Sequence, residues 1–536
     1  MKISTTSNTQ GFSQRHWQNS VVRRATTLLL GWMILFGGGL DLAAQQSATV
    51  PTEHWAYEYA RQLALRHRQA AVFLDVLPYS AGEFAAFADT FRAPSFSGAE
   101  QFWLQRLQAM AVPPVANTSW LQAGGRLQEQ VGKFGEAPHA RGALRTLVGL
   151  FPDRHVSFVN AIRLDQELRD DPAYLGKRWR GFAGFTEQAY VSLHFGKYLV
   201  KFGRDFLRWG RGYDATLLVS DASRPLDQFY AGVSLKHLRF YYVAAKLNPT
   251  ALEDSLRAFY RRDFAERYFS AVRVEWLPDP ELLKLAVTQM VLYGGPDRGF
   301  EWYYLNPLAL FHGEQVNEAR KGNTSLAFDW VLRPRDRMEL YGQFFLDDHQ
   351  IEQTRIDDRE PTEFGVLIGG VWADPLQLPG TTLGLEYTRV ANRTYNSLAT
   401  WERFTHRNRP LAHFLGNDFE RWLLHGQMYT GSNVQLLFSF ESRRRGEGRL
   451  DSAFTTPWRD LPAGEAFREA FPSGIVERST HVDLEARWHP HRDFYLSLAA
   501  GHSRYRDFEH QSGVDQDETR VWLRLWLEKF LWLGLD

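Results

Sequence analysis

The sequence predicts an all-β protein: a transmembrane antiparallel β-barrel of about 18 strands, preceded by a small helical periplasmic domain. Three observations lead there. From about residue 119 onward, apolar residues recur at every second position in paired runs. Those runs are joined alternately by tight turns and by long polar stretches. No segment after residue 44 is apolar for the ~20 residues that a spanning helix needs. Such a chain crosses a bilayer only as a closed barrel, because an open sheet edge would leave backbone amides unpaired in hydrocarbon.

Residues 1–44 have the pattern of a Sec-type signal peptide. Arg23-Arg24 precede the apolar run ATTLLLGWMILF, and small residues follow, with a cleavage point near Ala43 or Ala44. Residues 46–117 read as the helical domain. Trp55, Tyr59, Leu63 and Leu65 stand at helical spacing behind Pro51-Thr52. Ser80 is placed to cap a second helix with the stripe Phe84, Phe87 and Phe91, and GAEQFWLQRLQAMA supplies a third. These helices are expected to pack on one another.

Residues 119–536 read as the barrel. In VSLHFGKYLVKF (191–202) the turn Gly196-Lys197 sets Phe195 opposite Tyr198, Leu193 opposite Val200 and Val191 opposite Phe202. All these residues share one apolar face, while Ser192 and Lys201 oppose each other on the second face. Lys236-His237 forms an equivalent turn, with Val233 opposite Phe240 and Ala231 opposite Tyr242. Further turns fall at 151–155, 277–281, 333–337, 373–380, 430–433 and 489–493. Long stretches at 204–228, 249–266, 294–322, 347–362, 391–418 and 441–479 separate them. One more strand fits at WLQAGGRLQEQVGKF, and a last one at TRVWLRLWLEKF, ending at Phe530 with LWLGLD as an extension. With an even strand count both barrel ends lie on one side. The short turns mark that side as periplasmic, so the helical domain and the C-terminus are expected there.

Lysine plus arginine is 62 and aspartate plus glutamate is 62, so charge gives no reason to propose a nucleic-acid partner. There is no cysteine, which excludes disulfides, thiolate metal sites and cysteine nucleophiles. No carboxylate pair or hydrolytic triad stands out, and there is no phosphate-binding glycine loop. His489 and His491 flank Pro490 in a turn without further ligands in sequence. A non-enzymatic protein without metal or cofactor is expected.

The stretch GRDFLRWGRGYDATLLVSDASRP (203–225) resembles a motif of the Wzi family of capsule-assembly outer-membrane proteins, Trp-Gly-Pro-Gly followed by an apolar strand. Here Arg211 stands where proline is usual. HWAYEYARQLALR followed by PYSAGEF, and YYLNPLALFHGEQ (303–315), are similar to other segments of that family. The resemblance implies an outer-membrane protein, lectin-like and monomeric, that binds or anchors capsular or exopolysaccharide at the cell surface amid outer-membrane lipid. Aromatic platforms beside hydrogen-bonding side chains suit sugars, and an acidic polymer would call for arginine. Arg204, Arg208, Trp209, Arg211, Tyr213, Trp302, Tyr303, Tyr304 and Glu314 are the candidate contacts. The alternative is a porin-like diffusion channel for small solutes or sugars.

Overall fold

Hairpin pairing carries the chain around a closed sheet in the computed structural model, which describes residues 47–67, 74–91, 96–110, 119–134, 137–172, 174–318, 320–348, 360–462, 465 and 467–535. The expected signal peptide lies outside the described residues. The barrel strands are β1 (Trp120–Phe134), β2 (Ala137–Phe151), β3 (Val156–Asp165), β4 (Phe182–Phe195), β5 (Tyr198–Asp205) and β6 (Leu226–Ser234). They continue as β7 (Leu238–Lys246), β8 (Phe264–Asp279), β9 (Leu283–Gly295), β10 (Asn323–Arg335), β11 (Met338–Asp348) and β12 (Glu363–Ala373). The last are β13 (Thr381–Val390), β14 (Phe419–Thr430), β15 (Val434–Arg445), β16 (Glu477–His491), β17 (Phe494–Arg506) and β18 (Gln516–Gly534). Each pairs antiparallel with the next, and β18 closes on β1.

All eight tight turns fall where the sequence puts them, and the expected registers hold: Phe195 pairs Tyr198, Val191 pairs Phe202, and Ala231 pairs Tyr242. Two further long connections, 166–181 and 507–515, join the set expected from sequence. The final strand does not stop at Phe530. It runs to Gly534, which pairs with Trp120, because Leu531 and Leu533 continue the apolar stripe on the outer face.

The sheet is inside-out relative to a soluble protein. Phe202 is 66% exposed and Phe195 45%, whereas Lys201 and Ser192 across the same pleat are buried. On β18 the exposed Val521, Leu523 and Leu527 alternate in the same way with the half-buried Arg524 and Trp526. The period of two delivers one face to lipid and the other to a filled interior.

Three helices, α1 (Trp55–Arg66), α2 (Ala81–Asp89) and α3 (Gly98–Gln108), close the tight-turn end. Ser80 caps α2 as expected, in a capping box with Glu83, and Ser97 with Glu100 does the same for α3. The first helix starts later than Pro51-Thr52 suggests: His54 is its N-cap and accepts from the Ala56 amide. The helices pack on one another through Tyr57, Leu63, Phe84, Phe87, Trp103 and Leu107, and also on the barrel. Arg66 donates to Asp374 at 3.0 Å and Arg106 to the Pro490 carbonyl at 2.9 Å. The Tyr59 hydroxyl meets His489 Nδ1 at 2.6 Å, so this turn histidine serves the docking of α1.

Candidate functional site

The lumen is filled from both ends. From the tight-turn end, Thr49 reaches the inner wall and bonds Asp205 at 3.0 Å. Asp75 enters a cluster with Arg273, Glu275, Lys284 and Asp329, all fully or almost fully buried. From the long-loop end, the 206–225 connection descends to meet that segment. Trp209 pairs with Val76, and the Gly210 amide donates to the Asp75 carbonyl at 2.8 Å.

The Trp-Gly-Arg-Gly motif makes this descent possible. Gly210 has φ +101°, a region open to glycine, and a Cβ on Gly212 would lie 1.9 Å from the Ala215 carbonyl oxygen. Between them Arg211 spends its side chain on the wall, donating to Glu339 at 2.7 Å. Arg208 bonds Asp221 and the Gly212 carbonyl. The Tyr213 ring stacks on His425 at 3.7 Å, and its amide donates to Glu386. Above this charged layer the 391–418 connection folds in as well. Leu217, Leu218, Val219, Tyr395, Phe404 and Leu411 form an apolar layer with the inward-facing Val243, Phe269 and Phe345. Ser220 N donates to the Leu411 carbonyl at 2.7 Å and the Tyr395 hydroxyl to the Leu217 carbonyl at 2.7 Å, which stitches the two connections together. Two spaces deeper in the lumen are about 40 and 90 Å³, room for a few waters.

A basin of about 1190 Å³ opens above this floor. It is walled by the connections 166–181, 247–263, 391–418, 446–476 and 507–515 and by the outer ends of β8, β15 and β16. Arg267, Arg403, Arg445 and Arg449 line it beside Asp451, Glu477, Glu509, Phe264 and Phe414. Arg449 is paired with Asp451 at 2.6 Å. Among the described residues Arg267, Arg403 and Arg445 have no carboxylate within 4.0 Å. Arg267 instead bonds the carbonyls of Trp401 and Arg403. Asn417, 1% exposed and also lining the basin, has neither amide atom bonded.

The candidate residues named from sequence fall into separate places. Arg208, Trp209 and Arg211 are buried in the lumen plug, and Tyr213 is half-buried there. Arg204 sits at the outer end of β5, bonded to Asp227 at 2.8 Å. Trp302, Tyr303, Tyr304 and Glu314 lie on the 296–322 connection, away from the basin. None of these nine lines the basin. The lining arginines went unnoticed in sequence, although Arg443-Arg444-Arg445 at a strand end and Arg403, Arg407 and Arg409 in one loop are a visible signal.

The 391–418 connection carries two buried imidazoles, His406 and His413. Burial, reinforced by Arg407, pulls His406 from its ordinary 6.5 to about 3. Burial and then Arg421 push His413 well below its ordinary value. Both imidazoles are therefore neutral in the fold. The contribution of His406 is whole above about pH 6.5 and is lost as pH falls towards 3, and that of His413 is lost in the same direction, since the unfolded connection binds the extra protons. Hydrogen exchange, corrected for intrinsic rates, is expected to show protection of 391–418 falling between pH 7 and 4 while strands β1–β18 keep theirs. Equal loss in both would contradict this assignment.

A closed barrel with a lipid-facing apolar band, a plugged lumen and a polar basin over the plug defines an outer-membrane β-barrel. The capsule assembly protein Wzi family matches residues 157–520, and the chain belongs to that family. Among solved structures, Escherichia coli Wzi, described as an outer membrane protein involved in group 1 capsule assembly and a carbohydrate binding β-barrel, is 14% identical. The match covers 90% of this chain and 99% of that one with a TM-score of 0.60. OprD and OccK3 (OpdO) of Pseudomonas aeruginosa are each 11% identical, with a TM-score of 0.43, covering 82% and 78% of this chain and 99% and 97% of theirs. No curated protein matches the chain.

Proposed function

We propose that this protein holds capsular or exopolysaccharide at the cell surface without chemical conversion, and that the outer basin is the point of attachment. The observation that carries this reading is a roomy basin over a filled lumen, lined by Arg267, Arg403 and Arg445, none of which has a carboxylate within 4.0 Å among the described residues. Arg267, Arg403 and Arg445 suit carboxylate-, sulfate- or phosphate-bearing sugars, since a guanidinium presents a planar fork of donors and keeps its charge. Phe414, exposed on the basin wall, offers an apolar surface for a ring face. In this reading Arg208, Trp209, Arg211 and Tyr213 hold the floor rather than touch the polymer. The Sec-type leader directs export, and the helical domain and C-terminus lie on the periplasmic side with the tight turns.

Deletion of the gene is expected to move polysaccharide from the cell-bound to the released fraction. Wild-type complementation restores retention, and Arg403→Gln/Arg445→Gln restores it only in part. Unchanged retention in the deletion strain would remove the attachment role. The channel reading has an equally direct check. The plug predicts no steady open state in planar bilayers, and large reproducible open-channel currents would favour diffusion.

A further inference from the structure

The 296–322 connection neither enters the lumen nor roofs the basin. It folds back over the outside of the barrel. On β9 the outward positions are Leu285, Val287, Gln289, Val291 and Tyr293, and on β10 they include Thr324, Leu326 and Phe328. Gln289 thus stands halfway along a strand on the face that meets hydrocarbon elsewhere. Its amide is taken up by the connection: Nε2 donates to the Ala309 carbonyl at 2.8 Å and Oε1 accepts from the Phe311 amide at 3.1 Å. The Tyr242 hydroxyl of β7, also outward, donates to the Leu305 carbonyl at 2.9 Å. Thr324 bonds Gln315, and His312 Nδ1 lies 3.2 Å from its hydroxyl. Tyr304 and Phe311 cover the rings of Tyr242, Tyr268 and Tyr293.

The other side of the connection is apolar and open. Trp302 and Leu308 are each 86% exposed, Leu310 75% and Val316 63%. Below it, Val287 and Leu326, each 49% exposed, belong to the lipid-facing band. They are two residues along from the capped Gln289 and Thr324, a step of about 7 Å. The open apolar side is therefore continuous with the band.

We propose that residues 296–322 form a flap embedded in the outer leaflet. Acyl chains of membrane amphiphiles occupy its apolar side, and its inner side shields Gln289, Tyr242 and Thr324 from them. A polar group facing hydrocarbon must find a protein partner, and an exposed apolar patch of this size needs an occupant. The flap is independent of what the basin binds.

The chain has no cysteine, so a single introduced cysteine carries one label. Full-length Trp302→Cys and Leu310→Cys, with Leu326→Cys as a lipid-band reference and Asn408→Cys as a basin-rim reference, would each be labelled with an environment-sensitive fluorophore. They would then be reconstituted into phosphatidylcholine vesicles with brominated acyl chains. Labels at 302 and 310 are expected to be quenched severalfold by the brominated lipid, as at 326, and little by aqueous iodide, the reverse of 408. Iodide quenching at 302 and 310 matching that at 408 would overturn the proposal. So would protection from both quenchers accompanied by cross-linking between copies, which would make this face a protein–protein contact.

Discussion

Arg273→Leu is expected to destabilise the protein by about 3–5 kcal/mol, because it leaves buried carboxylates short of a cation. Arg273 is fully buried on the inner face of β8. It donates to both oxygens of Asp329 at 2.6 and 2.9 Å, to Glu275 at 2.9 Å and to Thr288 at 3.0 Å, and lies 3.4 Å from Asp75. Lys284 shares Asp75, Glu275 and Asp329, and Arg239 lies 3.7 Å from Glu275. Three cations thus balance three carboxylates, and one of those, Asp75, is the anchor of the N-terminal segment. With Arg273 gone, release of Asp75 is the easiest relief. The thermal midpoint in detergent should fall, and residues 74–77 should lose hydrogen-exchange protection before the strands do. Arg273→Lys should be intermediate, keeping the charge without the two-pronged geometry. A midpoint unchanged in Arg273→Leu would mean that the cluster does not dock the helical domain.

Trp209→Ala is expected to cost a similar amount, on the order of 3–5 kcal/mol, by emptying a site where the indole is fully enclosed. The loss falls on the 206–225 plug, which is held to the wall by Arg211–Glu339 and Leu217–Gln343 and to the N-terminal segment by the Trp209–Val76 pairing. Protection of 206–225 should drop while the barrel strands are unaffected, and polysaccharide binding should weaken because the basin loses its floor. Trp209→Phe should recover most of both. If Trp209→Ala abolished binding while the plug stayed fully protected, Trp209 would be a direct sugar contact and the assignment of the motif as a plug would be contradicted.

Much of the barrel is legible in the sequence because its rules are local. A two-residue turn and strict alternation fix which residues pair and which face lipid, as at Gly196-Lys197. The capping of α2 by Ser80 is local too. The paths of the long connections are not. Whether 206–225 folds inward depends on Glu339, Gln343 and Glu386, contributed by β11 and β13 more than a hundred residues away. An exposed aromatic such as Trp302 suits a sugar platform or a lipid contact equally well by composition, and only its place on the outer wall separates the two. The final strand looked finished at Phe530 because an aromatic end is common in such barrels, yet its register with β1 carries it to Gly534.

The most direct test of attachment at the basin is binding of purified capsular polysaccharide from the source strain to the purified full-length protein in detergent, with the basin double variant Arg403→Gln/Arg445→Gln beside it. Saturable binding by the wild type and at least tenfold weaker binding by the variant, at an unchanged thermal midpoint, are expected. Equal affinity of the two proteins would contradict attachment at the basin.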